Sequence, residues 1–490
     1  MKKALLLFVC LSFSFYAYAQ KKAVVCTGET DITSMWELDP HEDIPAHLDD
    51  IRAQIYDTLY EFDKSGEPKE SMVESCSVSS YSEDIETNAE MKILCKIRPA
   101  IFFHDGTELK SEDIVFSIKR IKTSRTLSAT MNMIKDVQIV GQKDVLFTVK
   151  YNVGGIDSPN KWLFERFKRI LAKHSYVGRK KYFEDAGSWA IEYPVGTGPF
   201  YFKDWKIWDS KNSRSQIILY KNKSYWTGAS PSLDELYFRF VPRNLWADSL
   251  KTGALSLVYR MPYRDFKNLK DKDAEIGSYK KAKRLVYSYQ YLLFSPYSKY
   301  LDNVDVKNAF LGGTNRVRLA KFSFGKDVMV NSGRSLYSSS VFPEKFEAVP
   351  YQPFDSRIRV EEYLKSVGAK KADKIPLRVL IPDTSEAVAV STELIKQLYA
   401  AGFVLRAKKM PFSKYTAIVN KQDFKGYDLI LYSMEENPVF ATPQKLLLLA
   451  NGGIQLYQRY SFYAMARPEK GGLKKFTPPV EGPIDLKDAE

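Results

Sequence analysis

The spacing of apolar side chains changes from that of a strand to that of a helix within the stretch RPAIFFHDGTELKSEDIVFSIKR, residues 98–120. An apolar strand end runs into a tight Asp-Gly turn. Beyond the turn, Ile114, Ile118 and Ile121 recur at positions i, i+4 and i+7 and predict one buried helix face. Ser111 is the predicted N-cap, and the two acidic residues after it favour the positive end of the helix dipole.

The clearest alternation of strands and helices lies between residues 376 and 433. PLRVLIPD is a predicted strand, SEAVAVSTELIKQLYAA a helix that stops at Gly402, and FVLRAKKM and YDLILYSM two further strands. This order predicts parallel strands joined by a right-handed crossover. Nearer the start, AVVCTG predicts a buried strand, and Ile51, Ile55 and Leu59 predict one face of a helix. The pattern is that of an α/β protein.

The first nineteen residues have the pattern of a secretory signal. Lys2 and Lys3 precede the apolar run from Ala4 to Phe15, and Ala17-Tyr18-Ala19 follows. We expect cleavage after Ala19. The run is too short to span a bilayer, and no later stretch approaches eighteen uninterrupted apolar residues. The sequence therefore predicts a soluble, exported, periplasmic protein.

Chain length and net charge limit the number of domains and the kinds of binding partner. The chain has 490 residues, enough for two or three cores of ordinary domain size, and a net charge of +14. A basic chain could bind nucleic acid, an anionic membrane face or an acidic solute, or simply carry a solvated basic surface. The basic residues are spread along the sequence and no nucleic-acid motif is found. We therefore expect no nucleic-acid partner.

Three cysteines follow the signal segment, and two of them lie on predicted neighbouring strands. SCSVSSY and MKILCKI flank the polar loop SEDIETNAE, and the midpoint between Cys76 and Cys95 falls at the centre of that loop. The two side chains would face each other across a hairpin, at a separation close to what a disulfide needs. A disulfide and two buried thiols both fit this pattern.

Seven segments, in order, resemble those of the family 5 extracellular solute-binding proteins, the periplasmic receptors of peptide, dipeptide and nickel ABC importers. No single segment is specific, but their order extends over most of the chain. They are LDPHEDIP (38–45), IYDTLYEFDKSGEPKESM (55–72), the stretch 98–120, GTGPFYF (196–202), KNKSYWTGASPSLDELYFRFV (221–241), VDVKNAFLGGTNRVRLAKF (304–322) and FDSRIRVEEYLKSVG (354–368).

The resemblance implies a two-lobed α/β periplasmic binding protein fold of the type II-like kind, with an extra small domain and a hinge between the lobes. The expected division is a signal peptide at 1–19, lobe I at 20–56, 191–285 and 456–490, the extra domain at 57–190, and lobe II at 286–455. The implied function is capture of a peptide-like solute between the lobes and its delivery to ABC permease subunits. We expect a monomer without a cofactor. A non-transport sensor or peptide chaperone is the alternative, and an exported hydrolase is a weaker one.

The resemblance also implies where a ligand binds. Tyr432 and Glu435 stand where many family members have a tryptophan and an aspartate, and in peptide receptors that aspartate pairs with the ligand's amino group. The predicted ligand-binding residues are Trp36, His41, Glu42, Tyr289, Tyr291, Tyr432 and Glu435.

Each of these residues also has an ordinary structural interpretation. Tyr289 and Tyr291 lie on one face of a predicted strand, which could equally be packed under a helix. Glu435 could pair with a basic residue of the other lobe. The acidic and histidine residues around His41 suit a metal site or the start of a helix. No catalytic histidine or serine motif is found in the sequence, so we predict neither a catalytic residue nor a metal.

Overall fold

The structure is a computed structural model that describes most of the chain between residues 21 and 489. The described residues are 21–28, 32, 35–41, 46–62, 68–82, 90–123, 134–150, 193–210, 214–261, 263–269, 279–324, 328–329, 350–370, 373–434, 453–466, 473, 486 and 489. The predicted signal segment, Glu42 and Glu435 lie outside them. For Trp36 and Tyr289 the structure describes the backbone.

The first half of the described chain is mostly strands, and strands and helices alternate more regularly after Phe240. The strands are β1 (Lys22–Gly28), β2 (Tyr60–Phe62), β3 (Pro68–Glu70), β4 (Val73–Ser82), β5 (Glu90–Ile97), β6 (Ile134–Ile139), β7 (Asp144–Lys150), β8 (Phe200–Asp209), β9 (Arg214–Lys221), β10 (Glu235–Phe240), β11 (Leu257–Met261), β12 (Tyr279–Phe294), β13 (Val328–Met329), β14 (Ile375–Pro382), β15 (Phe403–Met410), β16 (Leu429–Met434) and β17 (Gly453–Ala466). The helices are α1 (Ala46–Ile55), α2 (Ser111–Thr123), α3 (Trp246–Thr252), α4 (Tyr263–Asn268), α5 (Val304–Gly312), α6 (Arg316–Phe324), α7 (Pro353–Ser366), α8 (Ser385–Ala400) and α9 (Phe412–Lys421), with 3-10 turns at Met35–Leu38 and Arg243–Leu245.

One large mixed sheet runs through most of the described chain. Its strands follow the order β15, β14, β16, β12, β17, β11, β1, β10, β9, β8, with β13 paired to β17 outside that path. β14 is parallel to β15 and β16, and β1 is parallel to β10 and β11. Two separate groups of parallel strands are therefore joined through the antiparallel pair β12 and β17.

The predicted α/β unit between residues 376 and 433 is confirmed, with one helix added. β14, α8 and β15 occupy the predicted segments, and β14 and β15 pair in parallel over eight residues. The added helix is α9, which lies between β15 and β16. Tyr415 and Val419, four residues apart, are buried on one face of it. The periodicity of these residues is that of an amphipathic helix, so α9 could have been predicted from the sequence.

A second unit consists of β4–β7 with α2, and we call it the four-stranded unit. Its strands follow the order β4, β5, β7, β6, and its core is separate from the clusters that pack on the large sheet. Cys76 and Cys95 are directly opposite in the β4–β5 register, as predicted, and a disulfide joins them. Of the two possibilities that the sequence left open, the structure contains the bridge.

Helix α2 covers the four-stranded sheet with the face that the sequence predicts. Ile114, Ile118 and Ile121 are fully buried in the core of the unit. The N-cap prediction for Ser111 is wrong, because Ser111 is the first helical residue and its hydroxyl donates to the carbonyls of Gly141 and Gln142. The hydroxyl therefore ties the start of the helix to the turn between β6 and β7.

The predicted helix ahead of residue 59 is shorter than its apolar spacing suggests. α1 ends at Ile55, whereas the fully buried Leu59 lies beyond it in the connection to β2. Ile51 and Ile55 pack in the core under the large sheet, but Leu59 packs in the core of the four-stranded unit. The chain crosses from one core to the other between Ile55 and Leu59.

Candidate functional site

The strand register brings the carboxyl ends of both parallel groups to the middle of β12. The last residue of β11, Met261, pairs with Phe462 of β17, which pairs with Lys283 of β12. The last residue of β16, Met434, pairs with Tyr289 of β12. Both strands run toward the centre of β12 from opposite ends. In open α/β sheets, ligands bind in the crevice beyond the carboxyl ends of the strands.

A β-bulge occupies this central stretch of β12. The register shifts between Leu285 and Tyr289, so residues 286–288 stand opposite the single residue Arg459 of β17. Bulges bend a strand and increase its local twist. The half of β12 before the bulge pairs only with β17, and the half after it also pairs with β16. The bulge therefore separates the part of the sheet that contains β1 and β11 from the part that contains β14–β16.

Four predicted ligand residues can be related to this stretch only by their position in the chain. β1 runs parallel to β11, and the segment with Trp36 and His41 comes after β1 in the sequence. Tyr289 is the first paired residue after the bulge. Glu435 follows Met434 in the sequence. That these residues bind a ligand stays a prediction.

Tyr291 and Tyr432 are placed differently, in a packed layer between the sheet and α9. They are directly opposed in the register of β12 and β16, and both are almost fully buried. They share an apolar cluster with Tyr415 and Val419 of α9. Burial, reinforced by the Tyr432 hydroxyl, raises the pKa of Tyr291. This is the arrangement that the packed-strand interpretation describes.

Polar contacts beside these rings fix the end of β16 against β12. The buried amide of Gln290 donates to the Tyr432 carbonyl at 2.9 Å, and the Ser433 hydroxyl donates to Gln290 Oε1 at 2.8 Å. Tyr415 donates its hydroxyl hydrogen to the Leu431 carbonyl at 2.7 Å. The last residues of β16 before Glu435 are therefore held by side chains as well as by the sheet.

His41 belongs to a buried polar group centred on Asp39. The backbone N–H of His41 donates to Asp39 Oδ1 at 2.9 Å. Arg120 of α2 grips the same carboxylate with both terminal nitrogens: Nη1 donates to Oδ1 at 2.9 Å and Nη2 to Oδ2 at 2.5 Å. Asp39 is inaccessible to solvent, and Arg120 and His41 are nearly so. A bidentate guanidinium–carboxylate pair is directional and strong in such a setting.

A second carboxylate, Asp57, accepts hydrogen bonds from donors in two other segments of the resemblance. Its oxygens accept hydrogen bonds from the Thr197 hydroxyl at 3.1 Å, the Tyr225 hydroxyl at 3.1 Å and the Trp226 indole N–H at 2.7 Å. Asp57 lies in IYDTLYEFD, Thr197 in GTGPFYF and the two aromatic residues in KNKSYWTG. The motifs that are far apart in sequence therefore meet at one carboxylate.

The glycines beside Thr197 allow this junction to close. A Cβ atom added to Gly196 would lie 2.0 Å from the Ile55 carbonyl oxygen, and one added to Gly198 would lie 2.6 Å from the Gln54 oxygen. Neither position has room for a side chain. The same turn binds His104, whose Nδ1 accepts from the Gly196 N–H at 3.3 Å and whose Nε2 donates to the Gly198 carbonyl at 3.0 Å.

The environment of His104 favours the neutral ring. Burial lowers its pKa to about 4, against the opposing effects of the Gly198 carbonyl and Asp105. The two hydrogen bonds place the single ring proton on Nε2, since Nδ1 faces a donor. His104 therefore serves as a neutral connector between the four-stranded unit and the turn at 196–198.

The sequence does not single out Arg120, Asp57 or Thr197, although all three lie in segments that carry the family resemblance. Within the described ranges there is no cluster of three or more histidine, cysteine, aspartate or glutamate residues that could hold a metal ion. In the same ranges, none of the helices is both long enough and apolar enough to cross a membrane.

Similarity to solved structures over 96% of the chain shows a two-lobed periplasmic binding protein fold. The ABC transporter substrate-binding protein CtaP of Listeria monocytogenes superposes with a TM-score of 0.73 at 16% identity, covering 96% of this chain and 99% of that one. The oligopeptide-binding protein AppA of Bacillus subtilis, solved with a nonapeptide, gives 0.65 at 18% identity over the same shares.

The chain belongs to the bacterial extracellular solute-binding proteins of family 5, whose middle-region model matches residues 81–444. It is 26% identical over 359 residues to the glutathione-binding protein GsiB of Pectobacterium atrosepticum and 25% identical to that of Escherichia coli K12. Each alignment covers 72% of this chain, and the chain spans 62% of the length of these curated relatives.

Proposed function

We propose that this protein is the substrate-binding component of an ABC importer, which captures a peptide-like solute between its lobes and delivers it to permease subunits. The observation that carries the proposal is the convergence of the carboxyl ends of β11 and β16 on the bulged centre of β12. A crevice lined from both sides by strand ends suits a ligand that touches both lobes. Such a ligand favours the closed state only through its greater affinity for that state.

The lobe division predicted from sequence is part of the proposal. The predicted boundary between residues 285 and 286 coincides with the start of the register shift in β12. A bend at this point would let the two parts of the sheet rotate about β12 and β17. The extra domain at 57–190 would include the four-stranded unit, which has its own core.

The proposed solute class is supported by the names of the relatives and by one predicted residue. The relatives are named for glutathione, and structural neighbours were solved with a nonapeptide or with the dipeptide Met-Leu. Glu435 follows the end of β16, where a carboxylate could pair with a ligand amino group. An unpaired buried carboxylate would be costly, so the site would favour a solute with a cationic or donor group. The proposed function has no catalytic step.

A thermal-shift screen tests the function directly. The probes are reduced and oxidised glutathione, dipeptides to pentapeptides, and nickel with histidine. A bound solute stabilises the folded state by about 2.7 kcal/mol at a hundredfold excess over Kd. Small-angle scattering with the same probe should show a more compact particle. A folded, ligand-free protein that responds to none of these probes would contradict the proposal.

The export and delivery steps need separate evidence. Mass spectrometry of protein from the periplasmic fraction should give a mature N-terminus at Gln20. Uptake of the identified solute should stop when the protein or its partner permease is deleted. Solute binding without any loss of uptake would favour the sensor or chaperone alternative.

Glu435→Gln is the sharpest single test of the amine anchor. With an amine-bearing ligand, loss of the charge should weaken binding by about 1.5–3 kcal/mol, or roughly tenfold or more in Kd, because a hydrogen bond to a charged group is lost. Isothermal titration measures the change. Glu436→Gln is the matched control, one residue away and of the same charge, and should bind normally. Equal affinities of parent and Glu435→Gln would remove Glu435 from the site.

A further inference from the structure

We propose that Arg120, in the four-stranded unit, is a positioning residue of the ligand site, because it holds the segment 35–41 that follows β1. This inference rests on the proposed function, since it concerns the same crevice. It adds a residue that touches no ligand and lies outside both groups of parallel strands.

Helix α2 packs against two cores at once. Its isoleucine face, including Ile114 and Ile118, is buried in the core of the four-stranded unit. Phe116 packs instead against the cluster under the large sheet, which contains β1 and α1. Arg120 lies one helical turn beyond Phe116. Apolar contacts alone therefore pack α2 between the two units.

The Arg120 guanidinium determines where Asp39 can lie. Both carboxylate oxygens accept from it, and the fork geometry fixes the plane of the carboxylate as well as its distance. Asp39 is inaccessible to solvent, so water cannot replace either hydrogen bond without opening the contact between the units. The position of Asp39 is thus set from α2.

Asp39 is connected to the predicted ligand residues Trp36 and His41 through the chain. Asp39 follows the 3-10 turn Met35–Leu38, which contains Trp36, and its carboxylate also accepts from the His41 backbone N–H. Leu38 is fully buried as well. The turn and the residues after it therefore move as one piece with the carboxylate. Displacing Asp39 would displace Trp36 and His41 relative to the ends of β1 and β11.

The exposed ion pair between Arg359 and Asp305 is a suitable control. It also joins two helices, α7 and α5, but its side chains are 49% and 68% exposed. Arg359→Lys makes the same substitution as Arg120→Lys at this exposed pair and should leave the crevice unaffected. The two arginines thus separate a buried positioning contact from a general effect of exchanging arginine for lysine.

The experiment uses 5-fluorotryptophan in the full mature chain, with the Trp36 fluorine signal assigned from Trp36→Phe. The variants are Arg120→Lys, Asp39→Asn and Arg359→Lys, each studied about 20 °C below its own melting temperature. Fluorine NMR and hydrogen exchange of peptides spanning 35–41 are recorded without ligand. Titration with the best solute of the thermal-shift screen follows. Exchange of peptides from β5 reports whether the four-stranded unit is still folded.

We expect Arg120→Lys and Asp39→Asn to shift or broaden the Trp36 signal, to speed exchange of residues 35–41, and to raise Kd at least tenfold, or about 1.4 kcal/mol. Arg359→Lys should match the parent in all three. An unchanged Trp36 signal and unchanged exchange in both buried-pair variants would overturn the inference. A loosened segment with an unchanged Kd would also overturn the inference, because the position of the segment would then not affect ligand binding.

If the parent protein itself binds no solute, the proposed function fails, while the ligand-free measurements still decide whether Arg120 positions the segment. A normal segment in those measurements would also overturn the inference, and a loosened segment without solute binding would overturn the assignment of Arg120 to a ligand site.

Discussion

Asp39 and Asp57 are carboxylates that join distant parts of the chain by different chemistry: Asp39 links the segment after β1 to α2, and Asp57 links the connection between α1 and β2 to segments beside β8 and β10. Asp39 is fully buried and faces the charged guanidinium of Arg120. Asp57 is partly buried and accepts hydrogen bonds from neutral groups of Thr197, Tyr225 and Trp226.

The difference between a charged partner and neutral donors indicates which of the two contacts tolerates substitution. A buried ion pair is costly to assemble, and removing one partner leaves an uncompensated charge, so its members depend strongly on each other. Neutral donors around a partly solvated carboxylate can be replaced in part by water. We therefore expect the Asp39 contact to be all-or-none and the Asp57 contact to weaken gradually.

The largest effect should come from Arg120→Met. It leaves the Asp39 carboxylate buried opposite an apolar side chain, and we expect the free energy of unfolding to fall by about 3–5 kcal/mol. Urea unfolding followed by circular dichroism measures this free energy.

The double variant with Asp39→Asn should recover part of the loss, since no buried charge remains. Arg359→Met, at the exposed pair with Asp305, should change the free energy by less than about 1 kcal/mol. Similar losses in the two arginine variants would remove the distinction between a buried and an exposed pair.

Asp57→Asn should have a smaller effect, about 1–3 kcal/mol. The asparagine amide must turn an N–H₂ group toward at least one of the donors from Thr197, Tyr225 or Trp226. The same unfolding experiment applies, with Asp248→Asn as a control at a side chain that is 78% exposed. A loss as large as that of Arg120→Met would mean that neutral donors depend on their carboxylate as strongly as a charged one does.

His104 adds a pH-dependent effect to the Asp57 side of the comparison. Its pKa is about 4 in the folded protein and about 6.5 in the unfolded chain. The unfolded chain binds the proton first, so stability is complete above pH 6.5 and falls as the pH drops toward 4. Because His104 is partly exposed, we expect about 1–2 kcal/mol rather than the full value of the shift.

The measurement is the free energy of unfolding of the parent and of His104→Gln between pH 4 and 8. The difference between the two proteins should be constant above pH 6.5 and should shrink steadily below it. Other titrating groups contribute equally to both proteins and cancel. A difference that does not vary with pH would show that the ring is not held neutral by its contacts with Gly196 and Gly198.

Local pattern was sufficient for the elements whose periodicity is long. The isoleucine spacing of α2 and the strand-helix-strand order around α8 were predicted and are found. The hairpin register of Cys76 and Cys95 followed from the symmetry of the loop between them. The order of seven short segments was enough to indicate the family, which the family model confirms.

Three details of the sequence prediction depended on neighbours that a local pattern does not contain. The Ser111 hydroxyl bonds to the β6–β7 turn instead of capping its helix. The burial of Leu59 reflects a second core rather than a longer α1. Tyr291 packs in one apolar cluster with Tyr415 and Val419 of α9, which are more than 120 residues away in the sequence.

The sequence by itself determined which residues share a face of each element, because that depends only on the period of the helix or strand. It also determined the fold class, because strands that alternate with helices leave few arrangements. Only the tertiary structure decided which faces meet. Arg120 reaches Asp39 across 81 residues and Trp226 reaches Asp57 across 169, through contacts set by where the chain crosses between cores. The convergence of β11 and β16 on one bulge likewise depends on strand register, which is fixed by pairing between distant segments and not by the composition of any one of them.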